Sequence, residues 1–111
     1  MKITIDFEHP YFDEAAILAL NLEDLDDFYE TADEVSRLNL FFVLEASLHR
    51  LRKENRTNAA ARCAYFMSYY LFIPLTPPAS FDLAVYYMDL AMELWASPKF
   101  SDLEGIIKQG N

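Results

Sequence analysis

The chain has almost no glycine: Gly105 and Gly110 are the only two, and both fall near the C-terminus. Glycine enters positive φ without a steric penalty, so tight two-residue hairpins and phosphate-cradling loops normally require it. Without it, the chain has few positions from which to build either. Helices need no positive φ along their length. The chain is also 53% hydrophobic and 15% aromatic, far from the composition of disordered proteins. The expectation is an all-α fold, with 1–111 as a single domain. It should be a compact bundle of about five to six helices with a short extended N-terminal arm.

In the arm, residues 1–10, Ile3, Ile5 and Phe7 alternate with Lys2, Thr4 and Asp6, the pattern of a half-buried strand. No second strand signal follows, so the arm must lie over the core or pair with another chain. His9-Pro10 breaks it. An acidic helical region covers 13–30: Asp13 can cap a helix carrying Ala16, Ile17 and Leu20, and Asn21 a second carrying Leu22, Leu25, Phe28 and Tyr29.

"TADE", Thr31 to Glu34, fits a capping box for a long amphipathic helix over 31–54. Its apolar side reads Val35, Leu38, Phe41, Phe42, Leu44, Leu48 and Leu51, and "RLRKEN" suits the negative end of its dipole. Thr57 or Asn58 can cap the next helix, which is apolar almost all round through Cys63, Ala64, Phe66, Met67, Tyr70 and Leu71. Such a helix is central in its fold or covered by a partner. Pro74, Pro77 and Pro78 then interrupt the chain, and Ser80 can cap a helix with Leu83, Ala84, Tyr87, Met88, Ala91, Leu94 and Trp95 on one stripe. Residues 57–96 thus make an aromatic helical hairpin. "SDLE", Ser101 to Glu104, is a second capping box, opening a short helix over 101–109 that stops at Gly110. "IPLTPP" contains a PxxP, Pro74 to Pro77, but its nearest basic residues are Arg62 and Lys99, so it reads as a spacer.

Within the hairpin, Ala64, Met67, Ser68 and Leu71 on one helix face Ala84, Met88 and Ala91 on the next, with Pro98 beyond. This mixture of small and bulky contact residues over 64–98 resembles a single tetratricopeptide-type helical hairpin. The turn is longer than in that family, the proline later, and the family's early Trp absent. The resemblance implies a scaffold that binds peptides or proteins and has no chemistry of its own.

The net charge of −9 is unevenly spread. Residues 1–36 hold eleven acids against Lys2, whereas 37–62 hold Arg37, Arg50, Arg52, Lys53, Arg56 and Arg62 against Glu45 and Glu54. The acidic third repels nucleic acid and attracts a basic partner. The basic cluster has no aromatic interleaving or nucleic-acid motif, so it reads as helix-end solvation or an internal contact with the acidic region.

Catalytic signals are poor. Cys63 is the only cysteine, which excludes an internal disulfide and a CxxC site, and its neighbours mark it as a buried small hydrophobe. Glu45 and His49 share a helix face as a solvent-side pair, once, without the further ligands that a di-iron bundle needs. His9 has no His or Cys beside it. No catalytic residue, cofactor or metal is expected. The apolar run from Ala64 to Ile73 is far short of a membrane span, and the first residues lack the pattern of a signal peptide. A cytoplasmic protein with no membrane contact is the expectation.

These features point to a non-catalytic protein-binding module. Its candidate surfaces are an aromatic groove of Tyr65, Tyr69, Tyr86, Tyr87 and Trp95, and an acidic face of Glu23, Asp24, Asp26, Asp27 and Glu30. Two alternatives suit the same features. One is an immunity- or antitoxin-type inhibitor that neutralises a basic toxin, nuclease or other enzyme. The other is a homodimeric structural protein.

Overall fold

In the computed structural model, which describes residues 1–110, the first two helices begin where their caps predict. The Asp13 carboxylate accepts from the Ala16 amide at 2.9 Å and starts α1 (Glu14–Ala19). Asn21 starts α2 (Leu22–Thr31) through a reciprocal capping box, in which Asp24 takes the place of the usual Glu and reaches back to the Asn21 amide at 3.0 Å. Then come α3 (Glu34–Lys53), α4 (Thr57–Tyr70), α5 (Ser80–Trp95) and α6 (Ser101–Lys108). A π-helical turn, Leu71–Leu75, follows α4, and a 3-10 turn, Pro98–Phe100, precedes α6. Six α-helices and no strand among the described residues make the expected all-α bundle.

α4 is the centre of the bundle, which accounts for its apolar residues on all sides. Ala59, Ala60, Ala61, Cys63, Ala64, Met67 and Ser68 are completely buried, and all but Met67 are small enough to let neighbouring helices approach. α3 lies antiparallel to α4: the Cys63 thiol donates to the Leu44 carbonyl at 3.2 Å, and the Tyr70 hydroxyl to that of Arg37 at 2.7 Å. α5 returns antiparallel on another side, tied by the Ser68 hydroxyl to the Ala84 carbonyl at 2.7 Å. Thus α3 and α5 run parallel to each other, both against α4. The Arg62 guanidinium holds the C-terminal end of α1 by donating to the Leu20 carbonyl at 2.7 Å and the Ile17 carbonyl at 3.3 Å. Lys108 pins α6 to α5 by bridging Asp89 at 2.9 Å and Glu104 at 3.3 Å. The radius of gyration, 13.0 Å, is that of a fully compact chain of this length.

Scarce glycine leaves its mark on the turns. α3 ends in a Schellman arrangement with Asn55 at φ 59°, its amide donating to Arg52 and the Arg56 amide to Leu51. Asn tolerates this left-handed position because its short side chain is compact and polar. Thr76 (φ 44°) and Ala79 (φ 62°) carry the proline segment through two further left-handed residues, where a Cβ is unfavourable. Only the last such position, Gly110 at φ 72°, is a glycine, and it stops α6 as its place predicts.

Several expected boundaries move. Thr31 ends α2 instead of capping α3, and Asp33 takes the cap, accepting from the Ser36 amide at 2.7 Å, which holds its carboxyl below the usual range. A carboxylate two residues further on is the stronger acceptor, and the Thr31 hydroxyl instead donates to the Asp27 carbonyl. Neither Thr57 nor Asn58 caps α4, which starts after Arg56 without a side-chain cap. Ser80 and Ser101 are the first residues of α5 and α6, not their caps: left-handed Ala79 precedes one and the 3-10 turn the other. Pro74 lies inside the π-helical turn, so the chain bends through it before leaving the helix at Thr76.

The arm packs over the core as an extended segment. Ile3 is buried, Ile5 packs partly against the core, and the Met1 ammonium donates to Asp24 at 2.9 Å. Its alternation fails at Phe7, which points to solvent, because the chain has already turned: the His9 amide donates to the Asp6 carbonyl at 3.1 Å.

Candidate protein-docking face

The largest departure from the sequence reading is on α3. Leu40, Val43, Leu44, Ser47, Leu48 and Leu51 are its buried side. Val35, Leu38 and Phe42, expected in the same stripe, are 66%, 49% and 65% exposed. At about 100° per residue these three lie within roughly 60° of one another and some 160° from the buried leucines. The helix therefore has two apolar faces, and only one meets the core. The outer one continues at the same spacing into Glu45 and His49, whose Nε2 sits 3.0 Å from Glu45 Oε1.

A ladder of rings joins this ridge to α5. Phe42 meets Phe41 edge-on at 5.7 Å between centroids, Phe41 meets Tyr87 at 6.0 Å, and Tyr87 meets Tyr86 at 5.0 Å, with interplanar angles of 76°, 76° and 87°. The inner two rings are shielded, while Phe42 and Tyr86 emerge at the ends, so one surface carries both. Edge-to-face packing fixes ring orientation and gives the exposed rings little rotamer freedom to lose on contact. The Tyr87 hydroxyl donates to Glu45 Oε2, locking α5 to α3 beneath the face. Burial first, then this bond to a carboxylate, pushes the Tyr87 phenol well above its ordinary value. On the other flank, Ile5, Phe7, Pro10, Asn39, Phe42, Val43 and Ala46 line a shallow, mostly apolar groove of about 180 Å³ between the arm and α3.

The expected aromatic groove does not assemble as one site. Tyr86 and Tyr87 belong to the ladder. Tyr65 is buried against Phe100, its ring stacked at 4.6 Å, and the Tyr69 hydroxyl donates to Asp26 at 2.7 Å. Trp95 is exposed beside Leu18, Asn58, Arg62 and Lys99, in a separate groove where α5 ends. The acidic face is likewise divided. Glu23, Asp27 and Glu30 are exposed, but Asp26 is held by Tyr69 and Asp24 is buried, with both oxygens used by Asn21 and the Met1 ammonium. The basic residues answer partly to internal contact: Arg56 lies 4.0 Å from Glu14, Arg50 stacks over Tyr11 at 3.9 Å, and Arg62 holds α1.

Helical spacing alone puts Val35, Leu38 and Phe42 on the apolar side of α3, and alternation puts Phe7 with Ile3 and Ile5 on the buried side of the arm. For the three α3 residues the signal that separates them is the angular spread of the apolar positions, which is too wide for one buried arc. Burial pushes the Cys63 thiol far up, with Glu45 adding to the effect, so it is a protonated core group. Among the described residues no group of three His, Cys, Asp or Glu is placed to hold a metal ion, and no helix is long and apolar enough to cross a membrane. No family model, curated protein or solved structure matches the chain.

Proposed function

We propose that this chain is a non-catalytic protein-binding module of the cytoplasm, and that it docks its partner on the face shared by α3, α5 and the arm. One observation carries the reading: the ridge of Val35, Leu38 and Phe42, half to two-thirds exposed on a rigid helix and joined by the ring ladder to exposed Tyr86. Single exposed apolar residues are ordinary on soluble proteins, whereas a contiguous apolar ridge flanked by polar groups is the pattern of an interaction surface. Exposed Asp33 and Glu34 at the head of α3 add a carboxylate rim. With Glu30 and Asp27 nearby in sequence, that rim favours a partner carrying positive charge beside an apolar strip, which also suits the inhibitor reading.

The test is site-specific photocrosslinking in the native cell, with benzoylphenylalanine placed at Phe42, at Tyr86 and, as a control on α6, at Ser101. Discrete adducts from the first two positions and none from the third support the face. Adducts from Ser101 alone, or none at all, remove it.

A further inference from the structure

We propose that the groove where α1, α4 and the α5–α6 connection meet binds an apolar carboxylate: a carboxyl group carried beside an aromatic or branched aliphatic one. The site is separate from the α3 face and does not rest on it. Its volume, about 320 Å³, is at the small end of the range for small-ligand pockets. Leu18 and half-exposed Trp95 supply an apolar wall, and Arg62, Lys99, Asn58 and Ser97 a polar one.

Charge identifies the ligand. On a chain of net charge −9, a cavity whose charged lining is wholly cationic stands apart. The groove beside the arm and α2 sets Lys2 against Asp24 and Asp27, the one between α3 and α5 sets Arg52 against Asp89 and Glu93, and the one under Phe42 is uncharged. Here Arg62 and Lys99 line the same cavity, with no carboxylate in its wall and no ion pair to either among the described residues. Two like charges at one cavity repel, and an anion between them reverses the sign of that energy. Arg62 is oriented in advance. Its Nε and Nη2 donate to the Ile17 and Leu20 carbonyls, which leaves the end-on edge of the guanidinium, the edge whose spacing matches the two oxygens of a carboxylate. Ser97 Oγ accepts from the Lys99 amide at 3.3 Å, so its own proton remains to donate. A phosphate is a poorer fit, because phosphate cradles draw on successive backbone amides in glycine-bearing loops and no glycine lines this groove. The apolar wall of Leu18 and Trp95 then requires that the carboxylate carry an apolar neighbour.

Trp95 is the chain's single tryptophan, so its fluorescence reports on this groove. The full chain is titrated with 3-phenylpropanoate and with an acetylated alanyl-alanyl-phenylalanine peptide, each compared with its amide, and with phenyl phosphate. The expected result is a saturable change with a Kd of about 1 mM or tighter for the two carboxylates, and binding at least ~10-fold weaker for the amides. Lys99→Glu and, separately, Asn58→Asp should each weaken carboxylate binding about tenfold. Both positions are exposed, and an acid in the first turn of α4 favours the helix, so binding lost in Asn58→Asp is not lost folding. Arg62 is left intact because it holds α1. Tighter binding of the peptide assigns the occupant to a chain terminus and tighter binding of phenylpropanoate to a free small acid; either supports the site. No saturable change up to about 10 mM, equal binding of acids and amides, or tighter binding of phenyl phosphate overturns carboxylate recognition. Binding indifferent to both variants overturns this groove as its place.

Discussion

Alkaline pH should unfold this protein through groups that its core holds in the protonated form. Cys63, Tyr70 and Tyr87 are each less than a tenth exposed, and burial raises all three above their ordinary values of 9.0 for the thiol and 10.0 for the phenols. A raised pKa in the folded state means the unfolded chain releases these protons first as pH climbs. Below about pH 9 both states are protonated and the contribution is intact; above it, the unfolded state binds fewer protons and stability falls. At pH 11 the thiol accounts for about 3 kcal/mol of that loss and each phenol for about 1, together about 5 kcal/mol. A domain of 111 residues has roughly 6–17 kcal/mol of stability in all. At this size the loss corresponds to a fall of roughly 20 °C in Tm between about pH 8 and pH 11. Thermal melts followed by circular dichroism measure it, and phenolate absorbance shows when the tyrosines ionise. Phenolate from Tyr70 and Tyr87 should appear together with loss of helix. Tyr70→Phe and Tyr87→Phe should each reduce the alkaline loss by about 1 kcal/mol at pH 11. A Tm that moves by less than about 5 °C, or full ionisation with helicity intact, would refute the argument that these groups are held protonated by the fold.

Two substitutions probe how α4 organises its neighbours. Arg62→Ala removes the guanidinium from the Ile17 and Leu20 carbonyls and should lower stability by about 1.5 kcal/mol, read from urea midpoints; Arg62→Lys should recover only part, because one ammonium cannot span both carbonyls. Ser68→Ala deletes the hydroxyl that donates to the Ala84 carbonyl and should cost about 1 kcal/mol, whereas Ser68→Leu forces α4 and α5 apart and should cost about 3 kcal/mol or abolish folding. Equal effects of the two Ser68 changes would show that the close approach of these helices is not what the small residue serves.

The centre of the fold was legible from residue type alone. A helix as small and apolar as Ala59–Leu71 has no polar side to turn to water, so its central place follows from composition. Caps were legible where a single strong acceptor stood before the first turn, as at Asp13 and Asn21. They were misread where two candidates stood close together or where the backbone solved the problem otherwise. Asp33 displaces Thr31, and left-handed Ala79 opens α5 in place of a side-chain cap. The candidate site was half legible. Tyr86 and Tyr87 follow from aromatic excess, but Tyr65, Tyr69 and Trp95 disperse because α4 turns its flanks to different neighbours: Tyr65 to Phe100 and Tyr69 to α2. The i, i+3, i+7 pattern states which residues share a face and is silent on which face is buried.

That silence matters most at α3, where both faces are apolar. A helix at the edge of a small bundle touches the core along one arc only, and α4 already takes contacts from α1, α2, α3 and α5. Turning Val35, Leu38 and Phe42 inward would expose Leu40, Leu44, Leu48 and Leu51, four large residues in place of three. At about 25 cal/mol per Å² of apolar surface, the larger set wins the core. It also brings the Leu44 carbonyl to the Cys63 thiol and the Arg37 carbonyl to the Tyr70 hydroxyl, bonds that the opposite face could not offer. The smaller set is left outside by this competition, and Glu45 then anchors Tyr87 so that the ring ladder holds Phe42 and Tyr86 in fixed positions. An apolar ridge that is both excluded from the core and rigidly presented has only one way left to leave water, which is to be covered by another surface.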